Sequence, residues 1–222
     1  MFEQDVNFLP RIDMMKPRRL NSAFFGVKCF FDSEPQFGLA KGVWSTVVGY
    51  SGGRDEKPSY ENLGDHVKVV MVEYDPLAIS YGQLLDISLN CCGCREGSRS
   101  QCISSIFVKN TFEKRLAQAA IARYKLRMSC EKYVKVMMHK TFHKAEKWCQ
   151  KHSLRMFPAL MDELRQVYPD EEHLIQSTLA TRLNGILGHR STSYVPDDFE
   201  LYDLSDCAAA ILKNAIELRE VK

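Results

Sequence analysis

The sequence predicts a sandwich of one β-sheet and packed helices, of the α/β or α+β class. Three observations predict it. Short runs rich in β-branched and aromatic residues end at Gly or Pro signals, segments with helical spacing lie between them, and after Pro158 only helical patterns remain.

The elements follow in order. From Ala23 to Cys29 the chain reads AFFGVKC, a short run suited to a buried strand. Glu34 to Ala40 supplies a helical turn or two after it. Val43 to Tyr50 (VWSTVVGY) is a strand that stops at Gly52-Gly53, and the stretch to Pro58 is a loop. His66 to Tyr74 (HVKVVMVEY) alternates as a strand does and is stopped by Asp75-Pro76. Ser80 caps a helix running through Leu85 to about Leu89. The polar, Cys-rich stretch 90–102 is a loop, and Ile103 to Val108 is a strand. Phe112 to about Cys130 has amphipathic helical spacing, and Tyr133 to Met138 is a further strand. Residues 160–187 and 206–219 have helical patterns joined by a linker, Gly188–Pro196. The chain thus divides into a flexible arm (1–20), a catalytic-type domain (21–152) and a helical C-terminal extension packed on it (153–222).

Composition narrows the function. With 222 residues, 45% apolar and 26% charged, the chain can build a core without disulfides. A net charge of +2 gives no reason to expect nucleic acid or a membrane as partner, and no apolar run approaches the roughly 20 residues that span a bilayer. Glu3, Asp5 and Asp13 interrupt the first 20 residues, which therefore do not read as an export signal. The expectation is a cytoplasmic monomer. Eight cysteines (Cys29, Cys91, Cys92, Cys94, Cys102, Cys130, Cys149 and Cys207) then leave reduced thiols, a metal site or redox chemistry open.

Residues 28–34 read KCFFDSE, a cysteine between a strand and a helix. A thiol at a helix N-terminus has its thiolate stabilised by the helix dipole, and the thiolate is the nucleophile. The bland reading of the same residue is a small buried thiol between sheet and helix. The wider context tips the balance. Over about 60 residues from Lys28 the chain resembles the peptide methionine sulfoxide reductase A family. Cys29, Phe30 and Glu34 match that family's Gly-Cys-Phe-Trp-Gly-x-Glu signature. Gly42, Val43, Thr46, Gly49, Tyr50, Gly52 and Gly53 match its Gly-Val-x-x-Thr-x-x-Gly-Tyr-x-Gly-Gly run. Pro58, Tyr60, His66, Tyr74, Asp75 and Pro76 follow in order, then Ser80, Tyr81, Leu84 and Leu85. Further on, Gln101, Ser104 and Ile106 sit on a Gln-Tyr-Arg-Ser segment, and Phe142, Ala145, Glu146 and Gln150 fit Phe-x-x-Ala-Glu-x-Tyr-His-Gln.

The resemblance implies a fold: an α+β, two-layer α/β sandwich with a central mixed sheet and a ferredoxin-like core, here carrying the helical C-terminal extension. It also implies a reaction, the thiol-dependent reduction of methionine-S-sulfoxide in proteins and peptides. No cofactor or metal is called for, only an external thiol reductant such as thioredoxin. Cys29 is then the nucleophile, Phe30 and Phe31 the apolar walls for the S-methyl group, and Tyr60 a donor to the sulfoxide oxygen. Several positions depart from the family, among them the aspartate before its second tyrosine, which falls on Gly97 here. Phe31 stands where Trp is usual, Lys68 falls where the family has its glutamate, and Cys102 replaces the second tyrosine. Lys68 and Cys102 are therefore the residues that would act as donor and resolving thiol, with Cys149, at the family's histidine position, a second resolving candidate. The crowded Cys91, Cys92, Cys94 and Cys102 lack paired C-x-x-C spacing, so no metal is assigned to them. The same substitutions would suit an alternative, an impaired relative that binds Met-containing peptides or senses oxidants through Cys29 and Cys102.

Overall fold

A computed structural model describes residues 9–91, 104–128, 134–189 and 196–217. The elements begin with a short helix α1 (Arg11–Met14), strand β1 (Asn21–Val27) and helix α2 (Phe30–Gly38). Strands β2 (Val43–Ser51) and β3 (Val67–Tyr74) form a long antiparallel pair, followed by α3 (Tyr81–Cys91), β4 (Ser104–Val108) and α4 (Thr111–Met128). Then come β5 (Val134–Met138), the short β6 (Phe142–Lys144) and a 3-10 turn at Lys147–Cys149. Helices α5 (His152–Arg155), α6 (Pro158–Val167), α7 (Glu171–Gln176), α8 (Thr178–Gly188) and α9 (Asp206–Glu217) complete the chain.

The strands form one mixed sheet in the order β5-β4-β1-β3-β2-β6, parallel only between β4 and β5. Alternation along the strands sends Ala23, Phe25 and Val27 of β1, Val48 and Tyr50 of β2, and Val70 and Val72 of β3 to one face. There they pack with Phe30 and Phe37 of α2, Leu84 and Leu85 of α3 and Ala117 of α4. The opposite face carries Phe24, Val69 and Phe107. The architecture is α+β, with a helical C-terminal region. No described helix is long and apolar enough to cross a membrane.

A second core lies among the C-terminal helices, around α8, whose residues 178–187 are all buried. It meets the sheet domain through α2. Gly38 and Gly185 let the two helices touch, since a Cβ on Gly38 would lie 2.5 Å from the Thr181 carbonyl oxygen. Arg182 of α8, almost fully buried, donates to the carbonyl oxygens of Gly38 and Ala40, a cation at the C-terminal end of α2.

Two local readings of the sequence differ from the structure. The single helical pattern at 160–187 is three helices, because Pro169 cannot continue α6 and because Asp170 and Ser177 each cap a new helix through their side chains. The arm expected over 1–20 carries the turn α1, whose Ile12 is buried in the second core. Asp13 of that turn accepts from the Thr178 backbone N–H and from the Tyr168 hydroxyl. The cysteine-rich loop, including Cys92, Cys94 and Cys102, lies outside the described residues, as do Cys130 and most of the expected linker.

Candidate active site

Cys29 follows β1 by two residues and is the N-cap of α2, with extended backbone at φ −137° and ψ 117°. Its carbonyl accepts the first helical hydrogen bond, from Ser33 N–H at 3.3 Å, while its side chain makes no capping bond. The thiol is free and partly exposed. The N–H groups of the first helical turn thus donate no bond to this side chain.

Aromatic rings gather at the start of the helix it caps. Phe30 is fully buried and meets Phe31 edge-on at 4.9 Å between centroids. Phe31 stacks on Tyr60 at 5.7 Å and on His152 at 4.1 Å. Trp148 stands edge-on to Tyr60 at 4.9 Å and 6.1 Å from Phe31. Lys68 joins this group through strand register. It pairs with Val27 on one side and Tyr50 on the other, so its side chain rises on the helix-covered face beside α2. Its ammonium lies 4.0 Å from the Tyr60 ring centroid and 5.4 Å from that of Phe30, a cation held over two aromatic faces.

Glu146 ties the parts together. One carboxylate oxygen accepts from the Tyr60 backbone N–H at 2.9 Å and the other from the Tyr50 hydroxyl at 2.7 Å. Burial works to raise this carboxyl, but those hydrogen bonds hold it below the ordinary glutamate value. The same carboxylate receives the Cys149 thiol at 3.8 Å. Burial, and then the charge of Glu146, push Cys149 from its ordinary 9.0 up to about 12, with Lys68 pulling weakly the other way.

The sign of the Cys149 shift gives a prediction. The native state holds this proton more tightly than the unfolded chain. Its contribution to stability is therefore complete below about pH 9 and is lost as pH rises toward about 12. The stability difference between wild type and Cys149→Ala, from urea melts, should shrink between neutral pH and about pH 10.5. A difference that does not change with pH would mean that the thiol is not held this way.

The structure brings Phe30, Phe31, Tyr60 and Lys68 into one cluster, and Cys29 precedes Phe30 in the chain at the N-cap of the same helix. Cys102 lies outside the described residues. Tyr50, Trp148 and His152 belong to the same cluster and were not picked out as site residues by the sequence reading. The signal for Trp148 was present in its position within the FHKAEKWCQ stretch, whereas nothing local marks His152. Among the described residues no group of three or more His, Cys, Asp or Glu could hold a metal ion.

Comparison with known proteins gives a consistent result. Residues 21–177 match the family described as peptide methionine sulfoxide reductase. Peptide methionine sulfoxide reductase A5 of Arabidopsis thaliana is 39% identical over 175 residues, covering 76% of this chain and 68% of that protein. Peptide methionine sulfoxide reductase of Drosophila melanogaster is 31% identical over 188 residues, covering 83% and 74%. Among solved structures, methionine sulfoxide reductase A of Corynebacterium diphtheriae superimposes with a TM-score of 0.55 at 18% identity, over 64% of this chain and 77% of that one. Reduced Mxr1 from Saccharomyces cerevisiae gives 0.54 at 19% identity, over 64% and 88%. At such identities the structural likeness speaks for the fold alone.

Proposed function

Because the chain belongs to the peptide methionine sulfoxide reductase family, we propose that it reduces methionine-S-sulfoxide in proteins and peptides to methionine, with Cys29 as the nucleophile. The observation that carries this reading is a free thiol at the N-cap of α2, beside the ring cluster of Phe30, Phe31 and Tyr60.

The chemistry is redox-balanced. The Cys29 thiolate attacks the sulfoxide sulfur, the S–O bond breaks, and the oxygen ends on Cys29 as a sulfenic acid while methionine leaves. A second thiol then displaces water to form a disulfide, which an external dithiol of the thioredoxin kind reduces. Phe31, which is partly exposed, supplies apolar wall for the S-methyl group, with the fully buried Phe30 backing it rather than lining the pocket, and Tyr60 supplies the hydroxyl donor for the oxygen. Of the two resolving candidates, Cys149 is the weaker, since burial pushes its thiol up to about 12 and so leaves little thiolate at neutral pH. Cys102, which replaces the family's second tyrosine, is the other candidate for the resolving step.

Turnover of a methionine-S-sulfoxide peptide with dithiothreitol tests the reading, because dithiothreitol removes the need for a resolving cysteine. Accumulating methionine is the expected result, and no reduction by reduced, folded protein would overturn it.

Lys68 sits where the family places its acid, and an ammonium is a weak proton donor beside a carboxylic acid. Lys68 and Glu146 both meet Tyr60, the ammonium over its ring and the carboxylate on its backbone N–H. A glutamate at 68 would meet a second carboxylate and hold its proton toward neutral pH. Lys68→Glu is therefore expected to raise kcat by about tenfold or more, most strongly on the acidic side of neutrality. A pH–rate profile in which the variant is no faster would remove the defective donor from the argument.

A further inference from the structure

Trp148 has an unusual position: it touches the site, yet 50% of it remains exposed. The turn that bears it is fixed on both sides. Glu146 before it holds Tyr60 N–H and the Tyr50 hydroxyl, and Gln150 after it bonds the Val48 backbone N–H and carbonyl at 2.9 and 2.8 Å and the Ala145 carbonyl at 3.0 Å. The indole is thus placed rigidly, edge-on to Tyr60. Phe31 is already stacked against Tyr60 and His152, and Phe30 is fully buried. Trp148 is the ring of this cluster that keeps a large open surface.

A sulfoxide and its methyl group are small, and the open edges of Phe31 and Tyr60 suffice for them. A peptide brings more: the residues on either side of the oxidised methionine must pass over the rim of the site. A rigid indole offers them a wide apolar face at small entropic cost. From these observations, and resting on the reductase reading above, we infer that Trp148 is a specificity-determining residue. It receives an apolar or aromatic side chain flanking the methionine sulfoxide, and so favours oxidised residues in apolar sequence surroundings over the free amino acid.

The test is a comparison of three substrates with dithiothreitol as reductant: free methionine-S-sulfoxide, a peptide with leucines flanking the sulfoxide, and the same peptide with glycines there. For Trp148→Ala, kcat/KM on the leucine-flanked peptide should fall about tenfold further than on the other two, through KM. Trp148→Tyr should recover most of the loss, since a ring is restored. Equal losses on all three substrates, or no differential loss on the leucine-flanked peptide, would overturn this inference alone. Wild-type protein that reduces none of the three would overturn the reductase reading and this inference with it.

Discussion

Replacing Cys29 with serine is expected to abolish sulfoxide reduction, lowering kcat/KM by about 10⁴-fold or more, and to leave the fold at least as stable as before. The first half is chemistry. A serine hydroxyl is not ionised at neutral pH, and oxygen cannot accept the sulfoxide oxygen to make a sulfenic acid. The second half is structure. Cys29 occupies the N-cap of α2 in extended backbone and makes no side-chain capping bond. Serine is among the preferred N-cap residues, and its oxygen can accept from an unpaired N–H of the first turn, a gain of roughly 0.5–1 kcal/mol. The melting temperature should therefore hold or rise by about 2–4 °C. Activity and melting are then expected to move in opposite directions, as for a residue kept for its chemistry against local preference. Retained turnover in the dithiothreitol assay would transfer the chemistry to another thiol. An inactive variant with a clearly lower melting temperature would instead mark Cys29 as a packing residue.

The strands and the α2 segment were legible because they have local causes: β-branched runs for β2 and β3, and a strand-to-helix change at Cys29. Strand β6 has only three residues and leaves too little pattern to read. Cys29, Phe30, Phe31, Tyr60 and Lys68 were picked out through the order of their motifs, since all lie in the first third of the chain. Trp148 and His152 reach the same cluster from the far end of the sheet domain, and contacts that distant have no local period. Glu146 and Gln150 were visible as matched positions, but their work is not. Only the fold shows that one carboxylate grips Tyr50 and Tyr60 and that one amide replaces a strand partner for Val48. Lys151 is the most instructive miss. A lysine in a polar stretch reads as a solvated side chain.

That lysine carries the second large effect. Lys151 is fully buried and pairs with Glu34 of α2 at 2.8 Å, 117 positions away, with side-chain exposures of 0% and 1%. Its ammonium also donates to the hydroxyl and carbonyl oxygens of Thr46, and its backbone N–H donates to Glu34. Burial pushes the Lys151 pKa down, while the charge of Glu34 and its hydrogen bond pull it back. The backbone at Lys151 is left-handed, with φ 52°, a conformation that costs a side-chain-bearing residue about 1–2 kcal/mol and persists here because these bonds hold it. Lys151→Met removes the cation and leaves the Glu34 carboxylate buried without a counter-charge, bonded only to the Thr46 hydroxyl and the backbone N–H at 151. The expected cost is about 3–5 kcal/mol, which for a chain of this size lowers the melting temperature by roughly 10–15 °C. The double variant Glu34→Gln, Lys151→Met has no orphaned charge, so it should cost clearly less than Lys151→Met alone. If the double variant is as unstable as the single one or worse, the lysine stem and the turn geometry matter more than the charge. The pair also joins the helix that presents Cys29 to the segment leading into the C-terminal helices. Single variants should for that reason lose kcat as well as stability, and the charge-free double variant should recover part of both.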